Sequence, residues 1–376
     1  MSGIYIHVPF CKQKCNYCNF YSVASFKYRD AFLPALLREL ELRKEYLPDK
    51  NIRTVYFGGG TPSLLSTAEI NAVFDALSAV FKLSGDVEVT LEANPDDLSK
   101  EYLKQLKADT PVNRLSIGVQ SFFDDDLQYL HRVHNAQTAR NAIETAQRAG
   151  FSNITVDLIY GIPTLTEEKW RKNLELFFQY RLPHFSSYAL TVEPNTSLDV
   201  LIKKGKQAAV KEEPAVSHFE ILLNETAARG YIHYEISNFA KKGYYSKHNS
   251  IYWLGGHYLG LGPSAHSFNG TSRQWNVSNM KQYTEAGITE KIVKEREELT
   301  EKDRYNEYVM TALRTSWGCD TEHIANIFGI QAKKRFENEI QPFVNRGEVI
   351  NKEGIYLLTN KGKLFADGIA AQLFWD

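Results

Sequence analysis

The sequence predicts an α/β fold in which six parallel strands, each followed by a helix, form a partial barrel that precedes a smaller, helical domain. Three observations support this prediction. Apolar segments of strand length alternate with segments of helical period over the first half of the chain. This alternation ends near Ser197, and a helical pattern returns after about residue 300. Six such units are too few to close an eight-stranded barrel, and we therefore expect a partial one.

Short apolar runs between turn residues predict strands at 4–7, 53–57, 87–92, 114–118, 155–159 and 185–190. Segments of helical period predict helices between them, at 28–46, 67–81, 99–107, 136–149 and 167–180. Ser66, Ser99 and Thr166 stand at the start of three of these helices, where their hydroxyl groups can cap the first turn. In barrel-like folds the carboxyl ends of the strands share one face, and we expect the functional residues there.

Three regions follow from the patterning: a core at 1–230, an extension rich in aromatic residues and histidine at 231–298, and a helical domain at 299–376. A helix is predicted at 214–229, and the chain from 230 to 276 shows no regular period. The last region predicts helices at 302–315, 321–328, 332–346 and 359–374, with two short strands at 349–351 and 355–358. Helices followed by a small hairpin resemble a winged helix.

Charge and hydropathy exclude several classes of protein. Lys and Arg number 44 against 45 Asp and Glu, and the net charge is −1. Within 321–376, seven basic residues accompany seven acidic ones, so we do not expect nucleic acid as a partner of the winged-helix-like region. We also expect a cytoplasmic protein without a membrane segment, because no run of about 18 apolar residues and no basic export signal is present.

Three of the four cysteines, Cys11, Cys15 and Cys18, are spaced C-x-x-x-C-x-x-C directly after the first predicted strand. Soft thiolates in one short loop suit an iron-sulfur cluster or a zinc ion. A structural zinc ion needs a fourth ligand, for which His7 is a candidate. A disulfide framework is not expected in a reduced intracellular chain of this length. We favour a cluster that keeps one coordination position open, because no second C-x-x-C pair follows.

Glycines and polar residues follow the next strands. The sequence G-G-G-T-P at 58–62 ends the second strand, where glycines let backbone amides approach a ligand, although a tight turn also uses glycine for steric reasons. Glu92 and Gln120 follow the third and fourth strands, and Asp157 lies on the fifth. Each residue alone is typical of a cap or a turn. Together they predict one cofactor pocket that faces the cysteine loop.

The extension contains many flat rings between residues 231 and 276. They are Tyr231, Tyr234, Tyr244, Tyr245, Tyr252, Trp253, Tyr258 and Trp275, with His233, His248, His257 and His266 among them. Such rings can line a site for a large planar molecule, or they can pack an extension of the sheet.

These motifs carry a resemblance to a known family. The cysteine motif with Tyr17 before its last cysteine, followed in order by G-G-G-T-P, E-A-N-P, G-V-Q-S-F and D-L-I-Y-G, resembles the radical S-adenosylmethionine (SAM) proteins of the oxygen-independent coproporphyrinogen III oxidase family. The resemblance implies a radical SAM barrel with a 4Fe-4S cluster on Cys11, Cys15 and Cys18. It also implies SAM bound to the fourth iron, a reductant protein, and reductive cleavage of SAM to a 5′-deoxyadenosyl radical.

The family's SAM contacts are matched position by position in this chain. They fall on Tyr5, Gly59, Gly60, Thr61, Glu92, Gln120, Arg132 and Asp157. A carboxylate and a glutamine can hold ribose hydroxyls or the ammonium of SAM, and Arg132 can pair with the SAM carboxylate. Outside this context, Arg132 is more typical of a solvated arginine beside a helix.

Two features bear on the branch within this family. Phe20 stands where the decarboxylating oxidases carry a further cysteine. H-N-x-x-Y-W at 248–253 is similar to the hallmark of the HemW branch, whose members are proposed to bind heme and pass it to acceptor proteins. This resemblance implies a heme chaperone with His248 and Tyr252 as heme contacts. On Phe20 and this motif we predict the chaperone. The alternative is an enzyme, a coproporphyrinogen III dehydrogenase that decarboxylates propionate side chains.

Overall fold

The structure is a computed structural model that describes residues 1–289 and 292–375. Its strands, numbered in chain order, are β1 (Ser2–Val8), β2 (Asn51–Gly59), β3 (Lys82–Ala93), β4 (Arg114–Gln120), β5 (Ile154–Tyr160), β6 (His184–Ala189), β7 (Ile232–Glu235), β8 (Asn238–Ala240), β9 (His257–Leu261), β10 (His266–Phe268), β11 (Ser272–Asn276), β12 (Val293–Glu298), β13 (Cys319–Asp320), β14 (Val349–Lys352) and β15 (Ile355–Leu358).

The helices, numbered in the same way, are α1 (Arg29–Arg43), α2 (Thr67–Val80), α3 (Lys100–Asp109), α4 (Asp124–Tyr129), α5 (Ala136–Arg148), α6 (Glu167–Gln179), α7 (Ser197–Lys203), α8 (Glu212–Ala228), α9 (Lys247–Trp253), α10 (Met280–Thr289), α11 (Glu301–Leu313), α12 (Thr321–Phe328), α13 (Ile330–Asn345), α14 (Asn360–Lys363) and α15 (Ala366–Gln372). None of these helices is long and apolar enough to cross a lipid bilayer.

Six parallel strands in chain order, β1 to β6, form the centre of the larger sheet. β9 joins the free side of β1, also in parallel, and antiparallel strands continue the sheet on both sides. The full order is β12-β11-β10-β9-β1-β2-β3-β4-β5-β6-β8-β7. β12 and β7 stand at opposite ends of this order, so the described strands form an open sheet and not a closed barrel. The six-strand partial barrel that the sequence predicts is therefore confirmed.

The two faces of the strands carry different side chains. Ile4, Ile6 and Val8 of β1 are fully buried in the hydrophobic core, while Tyr5 and His7 alternate with them and lie on the inner face. The predicted helix caps are confirmed as well, because the side chains of Ser66, Ser99 and Thr166 accept hydrogen bonds from backbone amides in the first turns of α2, α3 and α6. Local sequence therefore directs both the strand faces and the helix starts.

The extension differs from its predicted irregular structure. It contains β7 to β11 and α9, which lengthen the sheet on both sides. These strands have only three to five residues, too few for a period of two to stand out in the sequence. The prediction of one helix at 359–374 is also wrong: the segment forms α14 and α15, because Phe365 between them has a non-helical backbone with φ of −120°.

The C-terminal region has a hydrophobic core of its own. β13, β15 and β14 form a three-stranded antiparallel sheet that packs with α11, α12 and α13, so the predicted order of helices and hairpin is confirmed. Cys319 and Phe336 are fully buried in this core. An ion pair of 2.9 Å between Arg273 of β11 and Glu307 of α11 connects the region with the inner face of the larger sheet.

Candidate functional site

The cysteine loop follows β1 and is attached at its base and at its far end. The amide of Cys11 donates to the carbonyl of Val23 at 3.0 Å, and the amide of Val23 donates to the carbonyl of Pro9 at 2.8 Å. Farther along, the amide of Asn16 donates to the carbonyl of Leu130 at 3.3 Å, beyond the end of β4. The loop therefore lies over the carboxyl ends of the strands, where functional residues are expected.

Cys11, Cys15 and Cys18 all carry free thiols. Burial raises the pKa of the Cys11 thiol, and hydrogen bonds with Thr61 and Ser22 oppose this rise. Burial also raises the pKa of Cys18. Among residues 1–289 and 292–375, no group of three or more His, Cys, Asp or Glu side chains is arranged to hold a single metal ion. Three free thiols on one loop match the donor set of a cluster, in which each thiolate binds its own iron.

His7 does not complete a zinc site. Its Nε2 lies 2.8 Å from the carbonyl oxygen of Tyr21, and its Nδ1 lies 3.0 Å from the hydroxyl of Tyr5. Burial lowers the pKa of His7 to about 4. Both ring nitrogens are thus engaged within the protein, so this structure gives no support to His7 as a fourth zinc ligand.

Arg132 connects the cysteine loop with the strand ends. Its Nη1 donates to Sγ of Cys15 at 3.1 Å, and its Nη2 donates to Oδ1 of Asn94 at 2.7 Å and to the carbonyl of Gly118 at 2.9 Å. Its buried Nε has no hydrogen-bond partner among the described residues. A buried, unpaired guanidinium N–H beside the cysteines suits an anionic ligand such as a carboxylate.

Gln120 lies next to this guanidinium. A Cβ atom on Gly118 would come within 2.9 Å of Nε2 of Gln120 and 3.3 Å of Nη2 of Arg132, so the two side chains share the space that the glycine leaves. Gln120 also has a left-handed backbone, with φ of 68°, at an irregularity in the pairing of β4 with β5. Strained backbone of this kind costs about 1–3 kcal/mol and concentrates at functional sites.

The glycine turn brings Glu92 and Tyr5 together. The amide of Gly59, at φ of 109°, donates to Oε2 of Glu92 at 3.0 Å, and the hydroxyl of Tyr56 donates to Oε1 at 2.7 Å. A Cβ atom on Gly58 would lie 2.9 Å from the rings of both Tyr5 and Tyr56. Glycine is therefore a steric requirement at this turn, and its effect is to pack two aromatic rings against the carboxylate.

Asn94 is a site residue that sequence reasoning missed. Its Nδ2 donates to Oγ1 of Thr61 at 3.1 Å, while its Oδ1 accepts from Arg132. It therefore joins the glycine turn to the arginine. Its place directly after the third strand, in E-A-N-P, was the available signal.

Glu92 and Asp157 are two carboxylates on the inner face. Burial raises the pKa of Glu92 to about 7, and the charge of Asp157 adds to this rise. Burial also raises the pKa of Asp157 to about 6, against the opposing effects of Ser186 and Arg114. Both carboxylates line a polar cavity of about 40 Å³, which is large enough for ordered water. The sequence gives no signal for Arg114 and Ser186, since both lie inside strands.

Glu92→Gln is expected to flatten the dependence of stability on pH. The pKa of about 7 in the folded chain exceeds the ordinary 4.5, so the unfolded chain binds fewer protons and the free energy of unfolding falls as pH rises through this range. Between about pH 5 and pH 8, urea unfolding should show a fall of about 2–3 kcal/mol in the free energy of unfolding that is due to Glu92. Glu101→Gln, at an exposed helix position, is the control and should keep the slope. A wild-type slope in Glu92→Gln would contradict the expectation.

His248 and Tyr252 lie on α9, against the inner face. Nδ1 of His248 lies 2.7 Å from Oγ1 of Thr54, and its Nε2 lies 2.9 Å from the hydroxyl of Tyr252. The imidazole is 1% exposed and stacks on Tyr56 with ring centroids 4.9 Å apart. His248 is therefore adjacent to the predicted SAM contacts, and both of its nitrogens are engaged.

The structure places the predicted SAM contacts in two groups and on the lining of the polar cavity. Tyr5, Gly59 and Glu92 form one group, and Thr61, Gln120 and Arg132 form another beside the cysteines. Gly60 continues the glycine turn, where its amide donates to the carbonyl of Val8 at 2.8 Å. Asp157 lies across the polar cavity from Glu92. The arrangement offers free thiols beside a guanidinium whose Nε is unpaired, and two carboxylates that line the polar cavity.

Comparison with known proteins gives family matches to both parts of the chain. Residues 5–177 match the model of the Radical SAM superfamily, and residues 299–365 match the model of the HemN C-terminal domain. Heme chaperone HemW of Bacillus subtilis (strain 168) is 36% identical over 376 residues, covering 98% of each chain. Heme chaperone HemW of Lactococcus lactis subsp. lactis (strain IL1403) is 34% identical, covering 100% of this chain and 98% of its own.

Among solved structures, coproporphyrinogen III oxidase (HemN) from Escherichia coli superposes with a TM-score of 0.84 at 22% identity. The match covers 99% of this chain and 90% of that one. At this level of identity the comparison establishes a shared fold.

Proposed function

Because this chain belongs to the HemW family of radical SAM proteins, we propose that it is a heme chaperone that binds heme and passes it to acceptor proteins. The observation that carries the proposal is the relation to heme chaperones over essentially the whole chain, at 34–36% identity. Phe20 supports it, because it stands where the decarboxylating oxidases are expected to carry a further cysteine. Its side chain is 68% exposed.

We assign a 4Fe-4S cluster to Cys11, Cys15 and Cys18, with SAM as a second cofactor and a protein as the source of electrons. When bound, the cluster supplies electrons to SAM, and this chain's own residues bind, orient and bury the cofactors. Arg132 is suited to the SAM carboxylate, since it holds an unpaired Nε beside Cys15. The other proposed SAM contacts are Tyr5, Gly59, Gly60, Thr61, Glu92, Gln120 and Asp157.

For heme we propose a site in the extension, 231–298, on the inner face of the sheet. Aromatic side chains there can pack on a flat macrocycle. His248 and Tyr252 stay predicted heme contacts, and direct ligation by His248 requires that its hydrogen bonds to Thr54 and Tyr252 open.

The test combines two measurements on anaerobically reconstituted protein, an enzyme assay and a binding titration. Given coproporphyrinogen III, SAM and a reductant, it is expected to form no protoporphyrinogen, with E. coli HemN as the positive control. Titrated with heme, it is expected to show a saturable change in the Soret band. Appreciable protoporphyrinogen would assign the chain to porphyrinogen oxidation instead, and a Soret band that does not saturate would contradict heme chaperone function.

A further inference from the structure

The segments around the cysteine loop carry basic charges and no acidic ones. Residues 11–29, 130–135 and 200–211 contain four, one and four Lys or Arg residues, and none of the three segments contains Asp or Glu. The whole chain, by contrast, has a net charge of −1. We call these three segments the cysteine rim.

Hydrogen bonds join the three segments of the cysteine rim. Nε2 of Gln13 donates to the carbonyl of His131 at 3.0 Å, which connects the first segment with the second. The hydroxyl of Tyr129, directly before the second segment, donates to the carbonyl of Ala208 at 2.7 Å in the third. The three segments therefore lie side by side, and their charges act on one surface.

Four lysines of the cysteine rim are free to attract a partner. Lys14, Lys27, Lys204 and Lys206 are exposed, and among residues 1–289 and 292–375 no acidic side chain forms an ion pair with them. The other basic residues of the rim each have a partner or an acidic neighbour: Lys12 pairs with Asp96, Arg29 with Glu69 and Lys203 with Asp199, Arg132 donates to Cys15, and Lys211 precedes Glu212. The free lysines give the rim its positive charge.

This charge reaches the cysteines. Lys14 stands between Cys11 and Cys15 in the sequence, and its charge opposes the rise that burial causes in the pKa of Cys18. Cys15 and Cys18 are half-buried, whereas Cys11 is buried. Two of the three thiols thus lie close to the surface that the free lysines make positive.

Exposed apolar side chains lie among the lysines. Phe20 is 68% exposed and Val133 is 53% exposed, and Phe26 and Val200 are exposed as well. Exposed aromatic and aliphatic side chains next to charged ones are typical of surfaces that bind another protein. Binding to the phosphates of a nucleic acid depends on the basic groups. The mixture therefore favours a protein partner.

Resting on the proposed function, we propose that the cysteine rim is the docking surface for the electron donor, and that this donor is a small protein with acidic side chains around a one-electron redox centre. Opposite charges steer such partners together, and electron-transfer interfaces are small, burying less than about 1,200 Å². One electron passes from the reduced donor to the cluster. The donor is oxidised by one electron, no bond forms or breaks, and no proton moves.

The double variant Lys204→Glu/Lys206→Glu tests the docking surface, with a reduced flavodoxin as the acidic donor. Both lysines are exposed, so the variant is expected to fold and to reconstitute its cluster. Calorimetry at low ionic strength is expected to show binding about tenfold weaker than that of the wild type. Added salt is expected to weaken the binding of the wild type, because it screens exposed charges.

Lys104→Glu/Lys107→Glu is the matched control. It makes the same change of net charge at two exposed lysines of α3, outside the cysteine rim. This variant is expected to bind flavodoxin like the wild type. Equal affinities of the control and the wild type separate a defined docking surface from the effect of overall charge.

The rate of reduction gives a second measurement. Stopped-flow mixing with flavodoxin hydroquinone is expected to reduce the rim variant about tenfold more slowly than the wild type at low ionic strength. Photoreduced deazaflavin, a small molecule that needs no docking surface, is expected to reduce both proteins at the same rate. Equal rates with deazaflavin separate lost docking from an altered cluster.

Wild-type flavodoxin binding in the rim variant, an equal loss in the α3 variant, or binding that salt does not weaken would overturn the inference. So would tighter binding of duplex DNA or of phosphatidylglycerol vesicles than of flavodoxin. Each of these results leaves the cofactor and heme assignments intact. If the wild-type protein instead retains no iron after reconstitution, or shows no saturable Soret change with heme, the proposed function itself fails.

Discussion

Cys15→Ala is expected to abolish the iron-sulfur cluster, lowering the iron content after anaerobic reconstitution from about four per chain to nearly none. Each of the three cysteines is the proposed ligand of a different iron, so the loss of one thiolate leaves an iron without a protein ligand. Cys15 is the sharpest choice because its Sγ also accepts a hydrogen bond from Nη1 of Arg132 at 3.1 Å. Iron and sulfide analysis, together with visible absorption, measures the result.

Cys319→Ala is the matched control for this experiment. Cys319 is fully buried in the C-terminal core, away from the cysteine loop, so its variant should assemble the wild-type cluster. Far-ultraviolet circular dichroism checks that both variants are folded. A Cys15→Ala protein with wild-type iron content and visible spectrum would refute the cluster assignment.

Arg132→Gln is expected to weaken SAM binding by about 10- to 100-fold, because charge-assisted hydrogen bonds contribute about 1.5–3 kcal/mol each. The guanidinium is the group placed to pair with the SAM carboxylate, and it also orders Asn94 through a bond of 2.7 Å. Equilibrium binding of SAM to reconstituted protein measures the effect. Iron content determined in the same samples separates lost SAM affinity from a lost cluster.

Two further variants make this prediction specific. Arg148→Gln removes an exposed guanidinium that pairs with Glu144 at 2.7 Å, and it should leave SAM binding unchanged. Arg132→Lys keeps the charge but loses the planar fork, so an intermediate affinity is expected. If Arg132→Gln bound SAM as tightly as the wild type, the proposed SAM site would be wrong.

Much of this fold could be predicted from local sequence. The six central strands and their helices are long enough for their periodic patterns to be recognised. Ser66, Ser99 and Thr166 cap the helices that they precede. Cys11, Cys15 and Cys18 also form a local signal, since one loop contains them all. The short strands of the extension could not be found in this way, because their stability comes from pairing with distant partners. Ser2 of β1, for example, pairs with His257 of β9.

The sequence by itself therefore determined the order of the central strands and helices, the cysteine loop and the motif at each strand end, because these depend on neighbours along the chain. Only the tertiary structure decided what each polar side chain can do. It engages His7 and His248 in hydrogen bonds and brings Asn94 to Arg132. The physical reason is that the availability of a ring nitrogen or a guanidinium depends on partners that the fold brings from other strands.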